Sequence, residues 1–417
     1  MKEQLGKKSR FVPVLGNIVL VLLGLAMALG LVEMLMRAFP NSVPPEVRVN
    51  PPARRVKAFI DETYDLRQSD GDLYYYMRGK IVPLSPDQDQ VVANVHMITD
   101  ELGFRNSPPE KATYDIVALG DSFTRASGVG SPWPQNLAEY SGSDVLNLGD
   151  VGFGPQDELK VLRQYGLNKQ PQWVILAYFE GNDLYDAASY EQANPFILFR
   201  FGRYILSQSV EAWQERMSSG SAAAAMPTYR YPIMITINHK ELEMVFFSSY
   251  ISWLSLSEEE IAASQNYRLV SEIILQMQDI SEAAGAHFLL VYVPSKEHVY
   301  LPYLNDPETA EQVFTDVSAI ELDDTGFLQF RNKTATPELV RQHMHDQARL
   351  MAEFAAENHI RFLDLTPIFR EEAGLGTELY YPLDTHWNQL GHDLAAETIN
   401  KHIEEVLRNS SREILRY

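Results

Sequence analysis

The stretch FVPVLGNIVLVLLGLAMALGLV, residues 11–32, constrains this chain more than any other, because it runs 22 residues without a charge. As one helix rising about 1.5 Å per residue it spans a hydrocarbon core of roughly 30 Å. Lys2, Lys7, Lys8 and Arg10 precede it against the single Glu3. That bias predicts a cytoplasmic amino terminus, with everything after about Arg37 on the far side, periplasmic or extracellular. A cleaved signal peptide is the alternative, with Ala26-Met27-Ala28 as a small-residue cleavage site. The uncharged run continues past Ala28 to Val32, longer than a usual signal core, and favours an uncleaved single-pass anchor.

Beyond the anchor, residues 40–55 (PNSVPPEVRVNPPARR) hold five prolines and read as an extended spacer. Residues 56–111 mix short apolar pieces with turn residues, as in GDLYYYMRG and TDELGFRNSPPE, and read as an accessory segment packed on a main domain. From about 112 the pattern alternates strand and helix. Strands are expected at Tyr114–Leu119, Asp144–Leu148, Trp173–Phe179, His287–Val293 and Ile360–Leu365. Helices are expected at Gln156–Gly166, Glu258–Ala284, Pro337–Asn358 and Gln389–Leu407. Short, mostly apolar strands separated by helices predict an α/β layered architecture with a central parallel sheet buried on both faces. Residues 184–256 and 303–335 are too long for simple connections and are expected to be partly structured insertions over one end of the sheet. The resulting organisation is 1–37 cytoplasmic tip and anchor, 38–111 spacer and accessory segment, 112–408 main domain, and 409–417 tail.

Charge and cysteine content narrow the chemistry. A net charge of −21 makes nucleic acid an unsuitable partner, since phosphate binding needs clustered Lys and Arg. The absence of cysteine excludes disulfides, a thiol nucleophile and Cys-ligated zinc.

In such a sheet, reactive groups belong beyond the carboxyl ends of the strands. Ser122, Gly152 and Asn182 each fall just after an expected strand. Ser122, in ALGDSFTRASG, is either a helix-start hydroxyl or a nucleophile. A serine attacks carbonyls only when a base takes its proton and fixed donors receive the oxyanion. In YYPLDTHWNQ, Asp384 and His386 are one residue apart; in an extended loop their side chains project to one side. The carboxylate could then orient the imidazole, while Asn388 caps the following helix. The competing reading is a capping loop with an incidental histidine. Gly152, among the glycines of LNLGDVGFGPQ, and the Asn182 carboxamide, in FEGNDLYD, are candidate oxyanion donors that could equally be turn formers.

Taken together, these segments resemble the SGNH, or GDSL-type, hydrolases, whose four motif blocks they match in order over residues 112–408. Gly120-Asp121-Ser122-Phe123 is similar to the nucleophile block, Asn147–Gly152 to the second, Gly181-Asn182-Asp183 to the third, and Asp384 with His386 to the last. The resemblance implies a three-layer, flavodoxin-like fold. It assigns Ser122 as nucleophile, His386 as base, Asp384 as its orienter, and Gly152 and Asn182 as oxyanion donors, with no metal or cofactor. Asp-x-His followed by Trp387 replaces the usual Asp-x-x-His. That variant resembles a branch that includes envelope proteins moving acetyl groups onto exopolysaccharides. Glu180 stands where the family commonly has glycine.

The function implied is a membrane-anchored serine esterase or O-acyltransferase acting on acylated carbohydrate or another ester. An idle scaffold that binds glycan or a membrane acyltransferase partner, and a lipid esterase or thioesterase, are the alternatives. Other polar clusters have plainer readings. RQHMHDQ (341–347) is expected to be a solvated helix face, since positions i and i+2 diverge on a helix. A metal site of Asp384, His386 and His392 is unnecessary once the serine system uses the first two. Lys296, in YVPSKEHVY, is expected in a turn.

Overall fold

A computed structural model describes residues 11–39, 61–65, 94–100, 102–107, 109–126, 129–193, 198, 233–315, 317–382 and 384–414. The proline-rich spacer, GDLYYYMRG, residues 199–232 of the first insertion and the last three residues lie outside the described residues.

Eleven strands are described: β1 Asp61–Asp65, β2 Asn94–Ile98, β3 Ile116–Leu119, β4 Val145–Asn147, β5 Trp173–Phe179, β6 Ile233–Ile237, β7 Lys240–Met244, β8 His287–Val293, β9 Ser318–Leu322, β10 Leu328–Thr334 and β11 Arg361–Asp364. β3, β4, β5, β8 and β11 form one five-stranded sheet in the order β11-β8-β5-β3-β4, with every neighbouring pair parallel. These are the five strands expected from sequence, two of them (β5 and β8) with the expected bounds. The chain order of the sheet strands is therefore 2-1-3-4-5, the flavodoxin-like winding, whose switch point lies between β3 and β5. The three antiparallel pairs β1–β2, β6–β7 and β9–β10 lie outside this sheet.

Burial explains the ranking of the strands. All seven residues of β5, all four of β3 and six of seven in β8 are buried, which is why each reads as a near-continuous apolar run. The edge strand β4 is short, and Asn106 closes its open side. The Asn106 carboxamide donates to the Asn147 carbonyl (2.9 Å) and accepts from the Asn147 amide (2.9 Å), as a further strand would.

Helices differ from expectation where a side chain competes for the backbone. The single helix expected over Glu258–Ala284 is two, Glu258–Ala262 and Gln265–Ala283, because buried Ser264 accepts from Tyr267 N and starts the second. Pro337–Asn358 likewise divides into Pro337–His343 and Asp346–Glu357. The expected helix 156–166 starts at Pro155 and widens into a π-helical turn over Leu162–Gly166. The C-terminal helix runs Gln389–Ile414. It packs against helix Trp133–Ser141, with Gln389 bonded to both the amide and the carbonyl of Ser131 and Asn136 Nδ2 donating to Asp393 Oδ1 at 2.7 Å.

The chain divides into two units, one of Met1–Pro51 with Tyr190–Ser221, the other of Pro52–Ser189 with Ala222–Tyr417. The sheet belongs wholly to the second. In the first, helix Phe11–Ala38 contains a span, Val19–Ala38, with mean hydropathy 2.5 and no buried residue, long and apolar enough to cross a membrane.

Candidate active site

Ser122 opens a one-turn helix, Ser122–Arg125, directly after β3. Asp121 caps it by accepting from the Phe123 amide at 2.9 Å. Two glycines make the turn possible through one threonine. Gly120 has φ +150°, and a Cβ there would sit 2.2 Å from Thr124 Oγ1. A Cβ on Gly149 would lie 2.6 Å from Thr124 Cβ. The second loop can therefore press against the Ser122 turn, where the Asp150 amide donates to the Gly120 carbonyl at 3.3 Å.

An imidazole from much later in the chain meets Ser122. His386 Nε2 lies 2.7 Å from Ser122 Oγ, and His386 Nδ1 lies 3.0 Å from Asp384 Oδ1. His386 and Asp384 side chains are 30% and 20% exposed, so the pair is sheltered yet reachable. The loop holding them is pinned by its own bonds. The Tyr381 amide donates to the His386 carbonyl, and Asn388 Oδ1 accepts from the Gly391 amide, capping the C-terminal helix as expected. Phe123 fixes the imidazole from below: its ring centroid is 5.0 Å from His386, 5.1 Å from Trp387 and 4.4 Å from Phe179. Aromatic pairs of this kind contribute about 0.5–1.5 kcal/mol each beyond area burial.

Electrostatics favour an ionised carboxylate and a basic imidazole. Burial raises the Asp384 pKa, but the charge and hydrogen bond of His386, with the Lys296 ammonium, outweigh it and hold the carboxyl below its usual range. Burial lowers the His386 pKa, and the Asp384 charge and hydrogen bond overcome that, leaving the imidazole above its ordinary value.

Gly152 and Asn182 follow β4 and β5, the two neighbours of β3, so the sheet order brings their loops to either side of the Ser122 turn. Gly152 is exposed in a turn with φ +71°, a backbone that glycine adopts without strain. Asn182 is half-buried just ahead of helix Asp183–Ala193, its carbonyl accepting from the Asp186 amide at 2.8 Å. Among the described residues no group of three or more His, Asp or Glu side chains is arranged to hold a metal ion.

Several residues depart from the expectations. Lys296 is not a solvated turn residue: it begins helix Lys296–Tyr300, is fully buried, and donates to the carbonyls of Tyr381, Pro382 and Asp384. RQHMHDQ is a solvated face only in part: Arg341, Gln342 and His345 are exposed, whereas Met344, Asp346 and Gln347 are buried. His343 Nδ1 lies 2.9 Å from Asp346 Oδ2, and His345 bridges His298 and Arg370 at 2.8 Å each. Glu180, just ahead of Gly181 and Asn182, is bonded into the interior. It accepts from Tyr292, from the amide and hydroxyl of Ser295, and meets His298 Nδ1 at 2.8 Å, all fully buried. Arg105, from the accessory segment, is also buried. It donates to the carbonyls of Ala126, Val129 and Gly130, bracing the loop after the Ser122 helix.

Residues 331–414 match a family model described as ALGX: SGNH hydrolase-like domain, acetyltransferase AlgX. This stretch takes in Asp384 and His386 and leaves Ser122, Gly152 and Asn182 outside. The chain is similar to a GDSL-like lipase from Bacteroides thetaiotaomicron at 13% identity, covering 70% of this chain and 88% of that one with a TM-score of 0.32. It is similar to an alpha/beta hydrolase enzyme from the metagenome of Lake Arreo, Spain, at 11% identity, covering 70% and 95% with a TM-score of 0.34. No curated protein matches the sequence.

Proposed function

We propose that this SGNH hydrolase-like protein is a membrane-anchored serine esterase or O-acyltransferase that removes or transfers an acyl group, acetyl first among them, on envelope or extracellular carbohydrate. The observation that carries the reading is the unbroken chain Asp384–His386–Ser122, with contacts of 3.0 and 2.7 Å. The acetyltransferase description of the matching family model supports acyl chemistry. The carbohydrate acceptor rests on the resemblance of the Asp384-Thr385-His386-Trp387 variant to exopolysaccharide-acetylating proteins.

In this reading Ser122 Oγ attacks the ester carbonyl while His386 Nε2 takes its proton. Asp384 stabilises the imidazolium. The amides of Ser122 and Gly152 and the Asn182 carboxamide hold the oxyanion. Collapse expels the alcohol, which leaves with the proton from His386, and the acyl group stays on Ser122. Water or a sugar hydroxyl then attacks, giving its proton to His386. The acid or the new sugar ester departs, and Ser122 regains its proton. Esterase and transferase differ only in which hydroxyl reaches the acyl-enzyme. The apolar helix at residues 11–38 would hold the domain at the membrane, facing away from the cytoplasm.

The test is turnover of p-nitrophenyl acetate with and without added oligosaccharides. Acetylated sugar formed at the expense of acetate supports transfer, and acetate alone supports hydrolysis. Turnover by Ser122→Ala equal to that of the parent chain would overturn the assignment, as would a parent chain with no activity that Ser122→Ala leaves unchanged.

A further inference from the structure

Three carbonyl oxygens of one short loop converge on a single buried cation. Lys296 Nζ donates to the carbonyls of Tyr381 at 3.2 Å, Pro382 at 3.1 Å and Asp384 at 2.6 Å. An ammonium has three N–H bonds, so this set uses all of them. The side chain is 0% exposed, and a buried charge persists only where its hydrogen bonds are made and a counter-charge is near. Here the carbonyls belong to the segment that carries both Asp384 and His386. The loop lies between helix Thr366–Gly374 and the C-terminal helix, on no strand of the sheet. It is also held by the Val245 amide on the Pro382 carbonyl at 2.8 Å, the Tyr380 hydroxyl on the Pro294 carbonyl at 2.8 Å and the Leu379 amide on the Tyr300 hydroxyl at 3.0 Å. Lys296, however, is the group that gathers three of its carbonyls.

We propose that Lys296 is a positioning residue for the Ser122–His386–Asp384 system, its ammonium fixing the loop so that the imidazole meets the hydroxyl. The inference rests on the esterase or acyltransferase reading for its kinetic consequence, but not for its structural one. Lys296 stands at the carboxyl end of β8, so it is built into the same edge of the sheet as Ser122, Gly152 and Asn182. It also acts through its field. Facing it are Glu297 on its own helix, Asp384 and His386 on the loop, and, beyond the imidazole, Asp121 on the nucleophile turn. Asp384 and Asp121 both favour the imidazolium, whereas Lys296 opposes it. Burial lowers the Lys296 pKa to about 8, against the opposing charges of Glu297 and Asp384, so the ammonium form still dominates at neutral pH.

The experiment compares the full chain with Lys296→Met, which keeps the length and removes the charge, and with Lys296→Gln, which keeps donors, by hydrogen exchange and by pH–rate profile. Lys296→Met is expected to speed exchange of the amides of residues 379–388 while the amides of β3, β5 and β8 keep their protection. It should lower kcat by about ten- to a hundredfold, as a displaced reacting group does. The acid limb of kcat/KM should move up by roughly half a pH unit or more, since the charge opposing the imidazolium is gone. Lys296→Gln should recover part of the protection but not the limb. Unchanged exchange together with an unchanged pH limb overturns the proposal. Should Lys296→Met not fold, a Lys296→Gln chain with parent-like exchange and parent-like pH profile overturns it equally. Should Ser122→Ala keep full turnover, the reading of the reaction fails, and the exchange result decides the role of Lys296 alone.

Discussion

His386 Nε2 and Ser122 Oγ lie 2.7 Å apart although 264 positions separate them in the chain. Residues so placed share a proton only because the fold, rather than the local sequence, sets the distance. A fluorophosphonate probe should therefore label Ser122 in the intact chain, and Ser122→Ala should show no label by mass spectrometry. Labelling at another serine would place the nucleophile elsewhere.

The pH profile follows from the direction of the imidazole shift. In the proposed reaction His386 is a base only when neutral, and its pKa is raised above the ordinary 6.5. Activity should thus fall as pH drops through a midpoint above about 6.5. Asp384→Asn should lower kcat by about 10³- to 10⁴-fold, through loss of the correct tautomer and of imidazolium stabilisation. It should also move the midpoint of the remaining activity downward, because the carboxylate that raises it is gone. A midpoint that stays in place would dissociate Asp384 from the base.

Asn182→Ala tests the oxyanion assignment. Loss of one such donor costs about 10²- to 10³-fold in kcat with little change in KM. A loss confined to KM would make Asn182 a ground-state contact instead.

Asp121, which caps the Ser122 helix, belongs to a group of interacting buried carboxyls with Glu158 and Asp183. Both Glu158 carboxyl oxygens are buried without a hydrogen-bond partner among the described residues. Burial, and then the neighbouring charges of Asp121, Asp157 and Asp186, push its pKa well above 4.5. A carboxyl whose folded pKa is raised stabilises fully below the unfolded pKa, and that contribution is lost as pH rises beyond it. Glu158→Gln should accordingly raise the melting temperature at pH 8, by roughly a few °C, and converge with the parent chain near pH 4.5. Parallel melting curves across that range would show Glu158 ionised in the fold.

The anchor reading predicts that the full chain stays with membranes after alkaline carbonate extraction, and that removal of residues 1–37 releases it. Extraction of the full chain would reduce the helix to a peripheral contact.

Much of this arrangement is legible in the residues themselves. The runs Trp173–Phe179 and His287–Val293 announce buried strands because both faces are covered, and Ser122 and Asn182 stand out because they follow such runs. Lys296 and Arg105 were not legible in the same way. A lone cation in a polar stretch ordinarily lies in water, and only burial against carbonyls reveals otherwise. Lys296 did carry one signal, its place just past β8 at the carboxyl edge where the other candidates gather. The contact between His345 and His298 had no such signal, since the two stand 47 positions apart.

The tie between Gln389 and Ser131 carries a consequence for timing. Synthesis delivers Ser122 well ahead of His386, which follows 264 positions later. A nascent polypeptide holding the Ser122 hydroxyl consequently lacks the imidazole until the segment with His386 and Gln389 returns to dock beside Ser131. A product terminated before His386 carries the hydroxyl without the imidazole that meets it.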